Sequence, residues 1–181
     1  MKSTGSKVEW LAYLIVVSLA SAWVFGLFLV PLLAPDGGAA PGESSLAALF
    51  HFMYGRVCHQ NADRSFHIAG HPLAVCARCS AIYIGYLIGL IAYPIVRPLG
   101  DTDLPRRRWL IAALVPVGVD TVGGYLGIFE NTLASRALTG FVAGAAGVFY
   151  TLPGLVSLAA SLFKRSEKDC VVIEGPGMPV G

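Results

Sequence analysis

Charge is what this sequence has least of. Only 13% of its 181 residues are Asp, Glu, Lys or Arg, against roughly 25% in an ordinary soluble domain. With 55% hydrophobic residues and a mean hydropathy of +0.67, that shortage excludes intrinsic disorder, which needs the opposite balance, and argues against a soluble enzyme. The formal net charge of +2 is too small and too scattered for a nucleic-acid surface, so no nucleic-acid partner is expected. Cysteine is scarce as well, and four in a chain of this length make no disulfide scaffold of the small secreted kind. Repeats and low-complexity tracts are lacking. The length suits one domain. What the chain has in plenty is long apolar runs, and the partner these require is a lipid bilayer.

A crossing helix needs about 20 apolar residues. No ionisable residue lies between Glu9 and Asp36, which gives a first span over residues 10–33. A second covers 79–96 and ends before Arg97. A third covers 109–129 and carries one acid, Asp120; a fourth covers 137–163 and is closed by Lys164 and Arg165. The runs are continuous rather than alternating, so helices are expected, each satisfying its own backbone in lipid. The fold expectation is an all-α polytopic membrane protein with four transmembrane helices, one domain over residues 1–168, and a disordered tail over 169–181. A cleaved signal peptide is the other reading of the first run, with Lys2 and Lys7 ahead of it and small residues at 37–40 behind. Its apolar stretch far exceeds the 7–15 residues of a signal core, which favours a retained helix.

Basic residues orient the spans. Lys2, Lys7, Arg97, Arg106, Arg107, Arg108, Lys164, Arg165 and Lys168 fall on one side, and only Arg56, Arg64, Arg78 and Arg136 on the other. Both termini are therefore expected in the cytoplasm, with residues 36–78 outside the cell membrane. That outer connection is too long for a bare loop. Turn signals stand at Pro35–Gly38 and at Pro41-Gly42, and Ser44 or Ser45 can cap a helix from Leu46 to Val57. Such a helix is too short to span, so an interfacial or re-entrant position is expected.

Three of the four cysteines and all four histidines lie between His51 and Cys79. On the short helix His51 and Cys58 would share a face, and so would Cys76 and Cys79 at the head of the second span. A helix N-terminus favours the thiolate, and Arg78 adds to that effect. In a metal reading, Cys58, Cys76 and Cys79 supply three ligands and His59, the best placed histidine, the fourth. That set suits zinc, and thiolate with imidazole suits iron equally. In a redox reading, Cys76 and Cys79 form an exchanging dithiol with Cys58 as its resolving partner, similar in outline to membrane oxidoreductases that couple disulfides to quinone. In the plainest reading two cysteines form a static disulfide in an accessory membrane protein. His51, set among Phe50, Phe52 and Met53, reads as a packed residue. His67 and His71 are open either way, and Cys170 reads as incidental.

Asp120 sits near the middle of the third span, where a carboxylate costs about 2.5–3.5 kcal/mol on insertion scales. It should face the bundle interior, as a working group in a cleft or as a structural partner of Arg78 or Arg136. Pro116, one turn earlier, is expected to kink the helix. Gly123, Gly124 and Gly127 extend a small-residue stripe toward Asn131, and Gly140, Gly144 and Gly147 mark a helix-packing face. Arg56, Arg64, Arg78 and Arg136 at one mouth could hold an anionic ligand such as a lipid phosphate, and Asp36, Glu43, Asp63 and Glu130 could equally neutralise them.

Cys58-His59-Gln60, Arg64-Ser65-Phe66 and Cys76-Ala77-Arg78-Cys79 followed by Ile82-Tyr83-Ile84-Gly85 resemble the signature of a prokaryotic membrane family, domain of unknown function 2085. Asp120 and the later Arg136-Ala137-Leu138-Thr139-Gly140 also match it. The resemblance covers residues 50–147, with Ala81 where the family often has glycine. It implies a small polytopic membrane protein built around these motifs, and it carries no activity with it.

Overall fold

The computed structural model describes residues 7–33 and 45–173. It is 75% helical. The order is α1 (Lys7–Leu32), α2 (Ser45–Gly55), a 3-10 turn at Ala62–Arg64, a two-stranded hairpin of β1 (His67–Ile68) and β2 (His71–Pro72), α3 (Ala77–Val96), α4 (Arg107–Tyr125) and α5 (Leu133–Ile173). The turn signals at residues 35–42, the acids Asp36 and Glu43, and residues 174–181 lie outside the described residues. Three helices are long and apolar enough to cross a bilayer: Lys7–Leu32, Ala77–Val96 and the Leu133–Leu162 part of α5. Their mean hydropathies are 2.3, 1.8 and 1.6.

The third expected span is shorter than the sequence suggested and falls outside that set. Gly127 adopts φ +69°, and the Ile128 amide donates to the Gly123 carbonyl at 2.9 Å. This left-handed glycine closes α4 after Tyr125, so Gly127 is a helix stop and not part of a helical stripe. Pro116 lies within the continuous helix. The last helix begins four residues earlier than expected. Thr132 sets its start, accepting from the Ser135 amide through Oγ1 at 3.1 Å and from the Arg136 amide through its carbonyl. It runs on to Ile173, into the segment expected as tail.

Helices α3 and α5 form the central pair, and they run parallel. A Cβ at Gly140 would meet the Arg78 carbonyl at 2.5 Å, one at Gly144 would overlap the Ile82 carbonyl, one at Gly85 that of Phe141, and one at Gly89 would meet that of Ala145 at 3.0 Å. Backbone touches backbone along this seam, the close approach that small residues permit between helices in lipid. Helix α1 lies antiparallel to α3, with the Tyr13 hydroxyl donating to the Leu90 carbonyl at 3.0 Å. One apolar layer (Tyr13, Leu90, Tyr93, Leu99, Val148, Leu152) holds this end of the bundle together. A second layer, Leu27, Val30, Tyr54, Cys58, Ala74 and Val75, holds the other. Helix α2 leans on α1 through the second layer, and its Tyr54 hydroxyl donates to the Trp23 carbonyl at 2.6 Å. Its opposite face leaves Leu46, Leu49 and Phe52 exposed.

Candidate metal centre

Cys58 does not ride on a helix face as the sequence suggested. Helix α2 ends at Gly55, and the chain turns so that the Cys58 amide donates to the Tyr54 carbonyl at 2.9 Å. His51 and Cys58 therefore share no helix. The turn continues through Gln60, whose φ of +49° bends the chain back. The Gln60 side-chain amide donates to the His51 carbonyl at 2.8 Å and the Ala74 carbonyl at 3.0 Å. One side chain thus ties the end of α2 to the strand of chain entering α3. That long-range tie has no local signature, and it places Cys58 against Cys76.

Between these anchors the loop is built rather than slack. The Asn61 side chain caps the 3-10 turn, and Ser65 Oγ donates to the Asn61 carbonyl at 2.8 Å. The hairpin turns on Ala69 and Gly70, both at positive φ, the backbone of a two-residue turn that follows the strand twist. It returns the chain to Leu73, Ala74 and Val75, all buried, and then to the start of α3.

Cys76 is the residue that caps α3. Its amide donates to the Cys58 sulfur at 3.3 Å. Cys79 lies one turn further, and the Sγ atoms of Cys58, Cys76 and Cys79 all lie within 4.8 Å of one another. All three are free thiols, one buried and two half-buried. Hydrogen bonds from the thiols of Cys58 and then Cys79 hold the Cys76 pKa far below the ordinary thiol range; burial opposes this, and amides at the helix start reinforce it. Three sulfurs held at tetrahedral angles by zinc–sulfur bonds of about 2.3 Å would sit about 3.8 Å apart. The 4.8 Å limit on the sulfur separations includes that spacing.

The histidines stand apart from this triangle. His59 is exposed despite its place beside Cys58, and among the described residues the grouped ligand atoms are the three sulfurs alone. His67 Nδ1 lies 3.1 Å from the Ser65 carbonyl, and His71 sits in β2. Replacing Gln60 with glutamate would set a carboxylate against the carbonyls of His51 and Ala74. If the sulfurs hold a metal, its affinity should fall about 10–100-fold in Gln60→Glu, the usual scale for outer-shell partners, as read by competition with a coloured chelator.

On the far side of α3's first turn, Arg78 pairs with Asp120 of α4. Arg78 also donates to Thr121 Oγ1 at 2.7 Å. Asp120 is only 6% exposed. The Asn131 side-chain amide donates to the Asp120 carbonyl, and Arg136 Nε reaches the Asn131 carbonyl at 3.5 Å. Of the two partners weighed for Asp120, the structure pairs it with Arg78, while Arg136 stands within electrostatic reach of Asp120, Arg78, Arg64 and Cys76. Arg56 goes elsewhere and stacks 4.6 Å over the Phe52 ring. The sulfur triangle and the buried ion pair therefore flank one helix start, joined through Arg78, which lies between Cys76 and Cys79 in the chain.

Residues 58–150, which include the three cysteines, Gln60, Arg78, Asp120 and Arg136, match the family model described as a predicted membrane protein, domain of unknown function 2085. The chain belongs to this family. It is 38% identical over 152 residues to an uncharacterized protein of Methanocaldococcus jannaschii, covering 84% of this chain and 97% of that one. An uncharacterized protein of Methanothermobacter thermautotrophicus is 31% identical over 88 residues, covering 49% and 78%. No solved structure matches at a significant level. For this family member the cysteines of the Cys-His-Gln and Cys-x-Arg-Cys motifs are the ones gathered in space, and Gln60 is the residue sequence reasoning left without a role.

Proposed function

We propose that this protein is a four-span membrane protein carrying an outward-facing zinc or iron centre on Cys58, Cys76 and Cys79. The observation that carries the reading is the triangle of three free thiols at the start of a helix. Metals take the thiolate, and the site lowers the cost of forming one at Cys76. Three protein ligands leave a fourth position, as in zinc sites that act on a bound water or substrate. His59 fills that position in one version of this reading and an incoming ligand in the other. His59→Ala separates them: unchanged metal affinity assigns the position to the incoming ligand. The centre clamps the loop over a cleft floored by Arg78, Asp120 and Arg136, where transport or metal-assisted chemistry takes place.

Geometry favours the fourth span. Helices α3 and α5 are parallel neighbours, so if both cross the bilayer the chain must return across it between Val96 and Leu133. Helix α4 supplies the return: 19 residues at 1.5 Å each span about 28 Å. The exposed apolar face of α2 suits an interfacial position. With the basic residues counted as above, both termini lie in the cytoplasm.

Elemental analysis of protein purified without chelator tests the centre. The expected result is about one zinc or iron per chain, as for a single thiolate site, lost in Cys76→Ser. No metal in the wild type overturns the reading. In that event the thiol–disulfide alternative, favoured by the lowered pKa of Cys76, predicts that trapping finds Cys76 disulfide-bonded to Cys58 or Cys79.

A further inference from the structure

Hydrogen bonds link Arg78, Asp120, Asn131 and Arg136 in one chain of contacts. Arg136 lies within electrostatic reach of Arg64 and Arg78, with Asp120 and Cys76 acting in the opposite sense. Arg78 pairs with Asp120, and Arg97 with Asp101. Among the described residues, no ion pair within 4.0 Å joins Asp63 or Glu130 to Arg64 or Arg136. A centre of three thiolates and one divalent ion would itself be singly negative, and the mouth would still be positive.

The donors are unfilled as well as the charge. Arg78 uses its two terminal nitrogens on Thr121 and Asp120, and its Nε is buried with no partner. Arg136 spends only its Nε, and weakly, on the Asn131 carbonyl. Arg64 stands exposed on the 3-10 turn. Planar guanidinium forks on a loop and two helix starts, within electrostatic reach of Arg136, suit an oxyanion with several acceptor oxygens.

We propose that Arg64, Arg78 and Arg136 form an oxyanion site that takes a phosphate group, from a lipid headgroup or from a soluble phosphate. The proposal rests on the reading of Arg78 and Asp120 as the cleft floor and stands independently of the metal.

Native mass spectrometry in a neutral detergent tests it, with inorganic phosphate and phosphatidylglycerol as separate probes and metal content read in the same samples. The expected result is one bound phosphate group per chain. Arg136→Gln and Arg64→Gln should each weaken it about tenfold, and Arg56→Gln, whose guanidinium is stacked on Phe52, should leave it unchanged. Arg64 sits on an exposed turn, so its variant keeps the helix packing even if Arg136→Gln does not fold. Lipid retained against excess phosphate identifies a headgroup site, and lipid displaced by phosphate, or phosphate alone retained, identifies a soluble ligand. Binding of neither probe overturns the proposal, as does equal weakening by Arg56→Gln, which would mean general surface attraction. Binding without metal sinks only the metal centre, and metal without binding sinks only this site.

Discussion

Asp120→Ala should lower the unfolding free energy by about 3–5 kcal/mol, the scale for removing one partner of a buried ion pair. The magnitude follows from burial and not from the pair's own attraction. The Arg78 side chain is 16% exposed and that of Asp120 7%, so water solvates the guanidinium only in part once its carboxylate is gone. Thr121 remains as a partner, but a hydroxyl cannot offset a charge. Asp120→Asn keeps the shape and one acceptor, and should fall between the wild type and Asp120→Ala. Removing both charges, as in Arg78→Met with Asp120→Leu, should recover most of the loss, because no uncompensated charge is then buried. Reversible unfolding in mixed micelles, followed by far-ultraviolet circular dichroism, gives all four values. A loss under about 1 kcal/mol in Asp120→Ala would put the pair in the class of solvent-exposed bridges and remove it as a bolt between α3 and α4. The sulfurs face α1 and α2 while Arg78 faces α4, so metal content should survive in Asp120→Ala.

How much of this was readable beforehand depends on whether the cause is local. Lipid imposes long apolar runs, so the helices that meet the bilayer stand out at once. Their ends depend on single residues in context. Gly127 reads equally well as a packing glycine and as a left-handed stop, and only the Ile128–Gly123 hydrogen bond decides between them. Ala69 and Gly70 make the hairpin turn, but alanine is not a residue that announces positive φ, so nothing local marks the hairpin. Cys76 and Cys79 share a face by spacing alone. Cys58 joins them because Gln60 reaches two carbonyls, one of them 14 residues away, and no spacing rule encodes that reach. The histidine beside Cys58 shows the converse. Adjacency in sequence put it next to the centre, and the turn carries it outward.

The packing of α3 on α5 gives the second large effect. Gly85→Ala and Gly144→Ala should each destabilise the bundle by about 1–3 kcal/mol, the cost of overpacking a close-packed contact. The new methyl group overlaps a backbone carbonyl in each case, that of Phe141 or of Ile82. A flexible side chain could swing away, but a carbonyl moves only if the two helices separate. Separation would also pull Arg78 from the Gly140 contact and loosen the start of α3 where the sulfurs sit, so these variants should lose metal affinity together with stability. Because one separation relieves both clashes, the double variant should cost less than the sum of the singles. Gly147 supplies the control. It continues the same glycine series in sequence, yet a Cβ there meets nothing within 4 Å. Gly147→Ala should be neutral or stabilising by up to about 1 kcal/mol, through helix propensity alone. Equal losses at Gly144 and Gly147 would mean that glycine is needed along α5 for flexibility, and the parallel α3–α5 seam would lose its role as the frame of the site.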